Sequence, residues 1–150
     1  MKTLLTDYSQ FVVRLEQLTP NSQALWGKMN VNEMLVHAAQ PLFMALGQKE
    51  GEDESNFFTR HFLKHIALRV MSEIPKGIDA PKSFDVQRNG AILNGFEADK
   101  AQLLHLMEQF KNDTSEYINR RHPNFGAFNR TEWARQNYMH LDHHFRQFGI

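Results

Sequence analysis

Cysteine is absent from the 150 residues of this chain, and that gap removes several chemistries at once. A disulfide framework, a thiolate zinc site, an iron–sulfur cluster and a protein thiol nucleophile are all excluded. Any metal must be held by His, Asp or Glu. An excess of charge of one sign is missing too: Lys+Arg and Asp+Glu each total 17. No basic stripe interleaved with aromatics follows a helix face, so a nucleic-acid partner is not expected. Long apolar runs are also lacking, since none approaches the ~20 residues that span a bilayer. The opening Met1 to Asp7 is too short and polar for a signal peptide. The expectation is a protein without a membrane partner, located in the cytoplasm.

What is present suits one compact domain over residues 1–150, with 41% hydrophobic and 23% charged residues. Apolar residues recur at helical spacing from Leu4 to Leu18, with Pro20 just beyond. Asn30 followed by Glu33 has the spacing of a capping box and opens a second helix, expected to run to about Leu46. Pro41 interrupts that helix, because proline cannot donate to the carbonyl of His37, and a kink is expected there. Gly47 to Ser55 reads as a polar, acidic loop, Asn56 to Val70 as a shorter helix, and Pro75 to Pro81 as a turn-rich connection. Phe84 to Phe96 is compatible with a small hairpin around Asn89-Gly90. A long third helix is expected from about Glu97 to Ile118, with Leu103, Leu104, Met107, Phe110, Tyr117 and Ile118 on one side and His122-Pro123 beyond its end.

Asn129 and Glu132 form another capping-box pair, starting a last helix. Its periodicity turns Trp133, Asn137, His140, Leu141, His144 and Phe148 inward, and Arg135, Asp142 and Arg146 outward. Four long amphipathic helices plus a short one predict an all-α four-helix bundle, with a crossover of ~50 residues between the second and third.

His140 and His144 stand one helical turn apart, close enough to share one ion without backbone strain. Such pairs are common without a metal, but here both lie toward the apolar face, where imidazole nitrogens need partners. A third ligand must come from elsewhere. His37 is the candidate, in the amphipathic stretch Val31 to Phe43, against the plainer reading of a satisfied core histidine. His61 and His65 repeat the same spacing among Phe57, Phe58, Phe62 and Leu68, where core packing or a subunit contact is the better reading. His105 and His122 read as helix-surface and helix-end residues. The stretch His140-Leu-Asp-His143-His144 lacks a Glu directly after its first His, so a zincin protease is not indicated.

Four elements, Trp26-Gly-Lys-Met-Asn-Val-Asn-Glu-Met-Leu-Val-His37, His122-Pro-Asn-Phe-Gly126, Glu132-Trp133 and His140-x-x-His143-His144-x-x-Gln147-Phe-Gly149, together resemble the DinB/YfiT-like metalloprotein superfamily. The likeness covers roughly Trp26 to Gly149 and looks closest to a branch of unknown function. It implies a four-helix bundle with a metal held by His37, His140 and His144. Around them His143 is a substitute ligand or a supporting residue, and Asn137 and Gln147 can orient an imidazole or a bound water. Trp26 and Trp133 either line a substrate cavity or anchor the core. Glu33 is a weak candidate for a general base, with helix capping the stronger role. Three neutral nitrogen ligands leave a position open on a divalent ion, as in catalytic rather than structural zinc. Zinc or nickel leads, with iron or manganese also compatible.

Relatives of that superfamily imply a transferase using a low-molecular-weight thiol as cosubstrate and a small molecule as substrate, and they imply a homodimer. With no cysteine in the chain, the sulfur must arrive with the cosubstrate. The alternatives are a metal-dependent small-molecule hydrolase and a non-enzymatic metal- or ligand-binding homodimer.

Overall fold

The computed structural model describes residues 1–117 and 120–150. Among these, four α-helices carry the fold: α1 (Leu4–Glu16), α2 (Val31–Ala45), α3 (Phe96–Asn112) and α4 (Arg130–Gln147). The molecule is mostly helical, and no helix among the described residues is long and apolar enough to cross a membrane.

Three of the helices open on reciprocal caps. Thr3 and Thr6 close the first turn of α1, Asn30 and Glu33 that of α2, and Asn129 and Glu132 that of α4. Each pair satisfies two of the amides that a helix start leaves without partners. Both boxes expected from sequence are therefore formed, and Glu33 is engaged as a cap, its Oε2 accepting from the Asn30 amide at 2.9 Å.

Because α2 is apolar nearly all round, it takes the centre of the molecule, packing against α3 on one side and α4 on the other. Helix α1 completes the arrangement against α3 and α4, where Arg14 bonds Asp142 at 2.8 Å and the Ile150 carbonyl at 2.9 Å. Leu4, Phe11, Leu15, Leu35, Leu42, Leu103, Met107, Phe110, Trp133, Leu141 and Phe145 meet in one core. Pro41 lies inside α2, which continues to Ala45, so the proline does not end the helix.

Several expectations are corrected. Helix α3 stops at Asn112, short of Tyr117, because the Asp113 carboxylate accepts from the Ser115 amide at 2.9 Å and from the Tyr117 hydroxyl at 3.0 Å. That local bonding competes with the helical ladder. The expected end of the helix at Ile118 lies outside the described residues. Phe84 to Phe96 holds no hairpin. Residues 81–89 instead form successive turns, with Phe84 and Asp85 amides bonded to the Pro81 carbonyl and the Asn89 amide to that of Asp85. Phe84 and Val86 are both buried, which the compact turns achieve without a paired strand.

The one strand pair among the described residues is β1 (Arg121–His122) with β2 (Gly126–Ala127), joined through Pro123, Asn124 and Phe125. Gly126 sits at φ +71°, and an added Cβ would meet the Arg60 side chain at 3.2 Å, so the closing position is restricted to glycine. His122 is not a bland helix end. It is buried, stacked at 24° against both Phe125 and Phe128, and its Nδ1 accepts from the Asn124 amide at 3.2 Å. His105 is exposed, as expected.

Residues 57–70 are helical but wound wide, with π-helical turns at Thr59–Leu63 and Ile66–Val70. Of the surround of His61 and His65 only Leu68 joins the core, while Phe57, Phe58 and Phe62 are exposed, as is neighbouring Ile66. Arg135, expected outward, is buried. Its guanidinium donates to the carbonyls of Leu68, Met71 and Lys2 at 3.3, 2.7 and 3.1 Å. Two of these oxygens close the wide helical segment, where carbonyls lack ladder partners, and a five-donor side chain meets that need better than solvent.

Candidate metal centre

Helices α2 and α4 face each other, and their contact brings His37, 103 positions away in sequence, against His140. His37, His140 and His144 are buried, and one ring nitrogen from each lies within 4.8 Å of the others. The His37 and His140 Nε2 atoms are 3.0 Å apart. Ring centroids stand 4.8 Å apart for His37 and His140, 4.5 Å for His37 and His144, and 4.6 Å for His140 and His144.

The protein fixes how two of these rings present themselves. His37 Nδ1 lies 2.7 Å from the Phe84 carbonyl oxygen, which can only accept, so that nitrogen carries the proton. Its Nε2 is then a bare lone pair turned toward the other rings. His144 repeats the arrangement, with Nδ1 donating to Gln147 Oε1 at 2.8 Å, and Gln147 Nε2 in turn donates to the Trp26 carbonyl at 2.8 Å. Gly27 permits this approach: it sits at φ +85°, and an added Cβ would stand 2.3 Å from Gln147 Nε2.

Burial keeps the rings neutral. Desolvation pulls His37 below the usual imidazole range despite the opposing Phe84 bond. His140 lies well below that range, through desolvation and then repulsion from His144 and His37. The same causes push His144 down to about 3, with desolvation first and His37 next. Three neutral imidazoles, two of them with tautomers fixed by their Nδ1 contacts and the third, His140, with Nδ1 unpartnered among the described residues, suit a divalent ion at the ~2.0–2.1 Å of zinc–nitrogen bonds. The Nδ1–H bonds to a carbonyl and an amide oxygen are the outer contacts that fix a ligating imidazole's tautomer. The donor set therefore fits a metal.

The remaining candidates are spread around this centre. His143 lies outside the trio, half-buried, donating from Nδ1 to the Ile74 carbonyl at 3.0 Å, with its ring edge-on to His144 at 5.0 Å. Trp26 is half-buried and edge-on to His143 at 6.1 Å, under the Lys76 ammonium at 4.0 Å. Trp133 is instead an anchor, fully buried against Phe128 and His122. Asn137 is fully buried on the same face of α4, and neither amide atom has a partner among the described residues. Glu33 is not part of the trio. His61 and His65 are exposed and belong to no such group among the described residues.

A family model described as "Protein of unknown function (DUF1569)" matches residues 3–149. The chain belongs to that family. No curated protein matches this DUF1569 chain, and no solved structure does either. The family description carries no activity with it, so chemistry rests on the residues.

Sequence reasoning missed two supports of this DUF1569 site. The Phe84 carbonyl is a backbone group, invisible to side-chain patterns. His122 supports Phe84 from below, ring edge to ring face at 5.4 Å and 87°, and its place in a conspicuous His-Pro-Asn-Phe-Gly stretch was the available signal. Gln147 tests the outer contacts directly. Gln147→Leu, which keeps the volume but loses both bonds, is expected to weaken metal binding about 10–100-fold, read by competition with a chromophoric chelator. Undiminished affinity would show that the amide packs against His144 without orienting it.

Proposed function

We propose that His37, His140 and His144 hold a divalent metal ion, zinc or nickel foremost, in an enzyme that transfers a low-molecular-weight thiol onto an electrophilic small molecule. The observation that carries the metal reading is the pair of fixed tautomers: His37 and His144 each spend Nδ1–H on a protein oxygen and turn a bare Nε2 to the same point. Bound there, an ion would deprotonate a coordinated thiol or water near neutral pH. The rest falls to the chain itself. Phe84 and Gln147 orient the rings, while burial keeps them unprotonated and excludes bulk water. Trp26 and His143 stand beside His144 on the half-buried side, where a substrate would meet them.

The transferase reading follows the resemblance to the DinB/YfiT-like superfamily, which the helix pairings and the long connection between α2 and α3 support as a four-helix bundle with a crossover. It also fits a chain without cysteine, in which the nucleophilic sulfur must come from outside. Glu33, the carboxylate a hydrolase would draw on, is committed to its cap. A homodimer belongs to the same proposal, with the exposed Phe57, Phe58, Phe62 and Ile66 as the face that a second copy covers.

The test uses cobalt(II)-loaded protein. A small thiol such as cysteamine is expected to add a sulfur-to-cobalt charge-transfer band, and the metal-loaded protein to speed loss of free thiol in the presence of an alkylating electrophile. Neither effect should appear with His37→Ala. A band without faster thiol loss would leave a ligand-binding metalloprotein, and no band at all would overturn the thiol reading.

A further inference from the structure

A groove of about 430 Å³ runs between α2 and α3, under the loop through Gly90 and Ala91, away from the three histidines. Leu35, Val36, Ala39, Phe43 and Ile92 give it an apolar wall, interrupted by the amides of Gln40, Gln48, Asn89, Asn94 and Gln102. Each end carries one charged side chain. Lys49 stands at one end, where its ammonium donates to Gln40 Oε1 and, at 3.1 Å, to the Ser83 carbonyl. Asp99 stands at the other, 4% exposed, with Oδ2 accepting from Asn32 Nδ2 at 2.5 Å and from the Asn94 amide at 3.0 Å.

Neither charge has a counter-ion among the described residues. Lys49 meets only neutral oxygens, leaving one of its three N–H groups to spare. Asp99 meets only neutral amides, and its Oδ1 has a single long contact, to Asn94 Nδ2 at 3.5 Å. Burying an ionised group without an opposite charge is costly; that applies most to Asp99, which has only the amide end of α3 for compensation, and in part to the half-buried Lys49. The two cannot neutralise each other, because their anchors on α2, Asn32 and Gln40, are eight residues apart, roughly 12 Å along the helix.

We infer that this groove is a binding site for a small zwitterion, with its carboxylate at Lys49, its ammonium at Asp99 and a short apolar chain between. Two opposite charges on a partly apolar groove, anchored eight residues apart on α2, match such a molecule in sign and in approximate reach. A simple fatty acid would satisfy Lys49 and leave Asp99 uncompensated; a simple amine would do the reverse. A dicarboxylate would face repulsion at the Asp99 end. The inference stands independently of any metal at the histidines.

The experiment is a titration of the full chain with 6-aminohexanoate, followed by 1H–15N NMR, with hexanoate, hexylamine and adipate as comparisons. Shifts are expected at groove residues such as Ala39, Ala91 and Gln102 and not at His144. Each singly charged analogue should bind about tenfold more weakly or worse, given the strength of a charged hydrogen bond. Lys49→Met should erase the preference for 6-aminohexanoate over hexylamine, and Asp99→Asn the preference over hexanoate. These opposite signatures distinguish lost recognition from lost folding, and either variant alone suffices if the other does not fold. Absence of saturable shifts in the wild type at millimolar excess, or equal binding of all four probes, would overturn the inference.

Discussion

Replacing His140 with alanine is expected to take the protein from one bound divalent ion per chain to none that survives desalting. His140 is one corner of a near-equilateral trio, its Nε2 3.0 Å from that of His37 and its centroid 4.6 Å from that of His144. Its removal leaves only two imidazoles, His37 and His144, with centroids 4.5 Å apart. Structural zinc in zinc-finger peptides binds with an apparent ~10–16 kcal/mol, and on that scale losing one ligand of three costs on the order of a thousandfold in affinity. Elemental analysis after exposure to zinc or nickel reads this directly. His37→Ala and His144→Ala should behave the same way, whereas His143→Ala and His61→Ala should keep their metal. Full metal content in both His37→Ala and His140→Ala would remove the centre altogether. Stability provides a second readout, since an ion present at a thousand times its Kd adds about 4 kcal/mol to the folded state. A chelator should therefore lower Tm in the wild type and leave Tm of His140→Ala unmoved.

Acid is expected to unfold the metal-free protein over a narrow range. His122 and His144 both titrate near 3 in the folded state, held there chiefly by burial, against about 6.5 in an unfolded chain. Well above pH 6.5 neither state is protonated and stability does not depend on these rings. As pH falls below 6.5 the unfolded chain takes up protons that the folded one refuses, so stability is lost progressively until the folded values near 3 are reached. At pH 5 each ring costs about 2 kcal/mol, and His37 and His140, both lowered by burial, act in the same direction. That is a large part of a typical 5–15 kcal/mol of stability. Urea unfolding in chelator at pH 7.5, 6 and 5 checks it: the midpoint should fall steeply below pH 6. His122→Phe, which keeps the stack with Phe125 and Phe128, should flatten that slope by about one proton. A midpoint that does not change between pH 7.5 and 5 would contradict the burial of these rings.

Much of the helical plan could be read from the chain because it is written in local signals. The pairs Asn30/Glu33 and Asn129/Glu132 announce their caps through side chains three residues apart, and the inward set of α4 follows a simple period. Where local bonding competes with periodicity, the pattern misleads. Asp113 and Ser115 end α3 early, and Phe84 and Val86 reach the core through turns instead of strands. Arg135 shows the same limit from the other side: polarity places it in solvent, while unpaired carbonyls contributed by distant segments draw it in. The three histidines could be named in advance because their spacing and family likeness sit in the sequence. The Phe84 carbonyl that fixes His37 could not, since any residue offers the same backbone oxygen.

The long separation between His37 and His140 has a kinetic consequence. Closing so large a loop is entropically slow, and the partners meet only after α4 has docked. During synthesis, α2 emerges well before α4 exists, so the nascent polypeptide has no place to load an ion until α4 has also been made. Cation capture would then act as a latch set after folding, prolonging the lifetime of the native state while leaving the rate of reaching it almost unchanged.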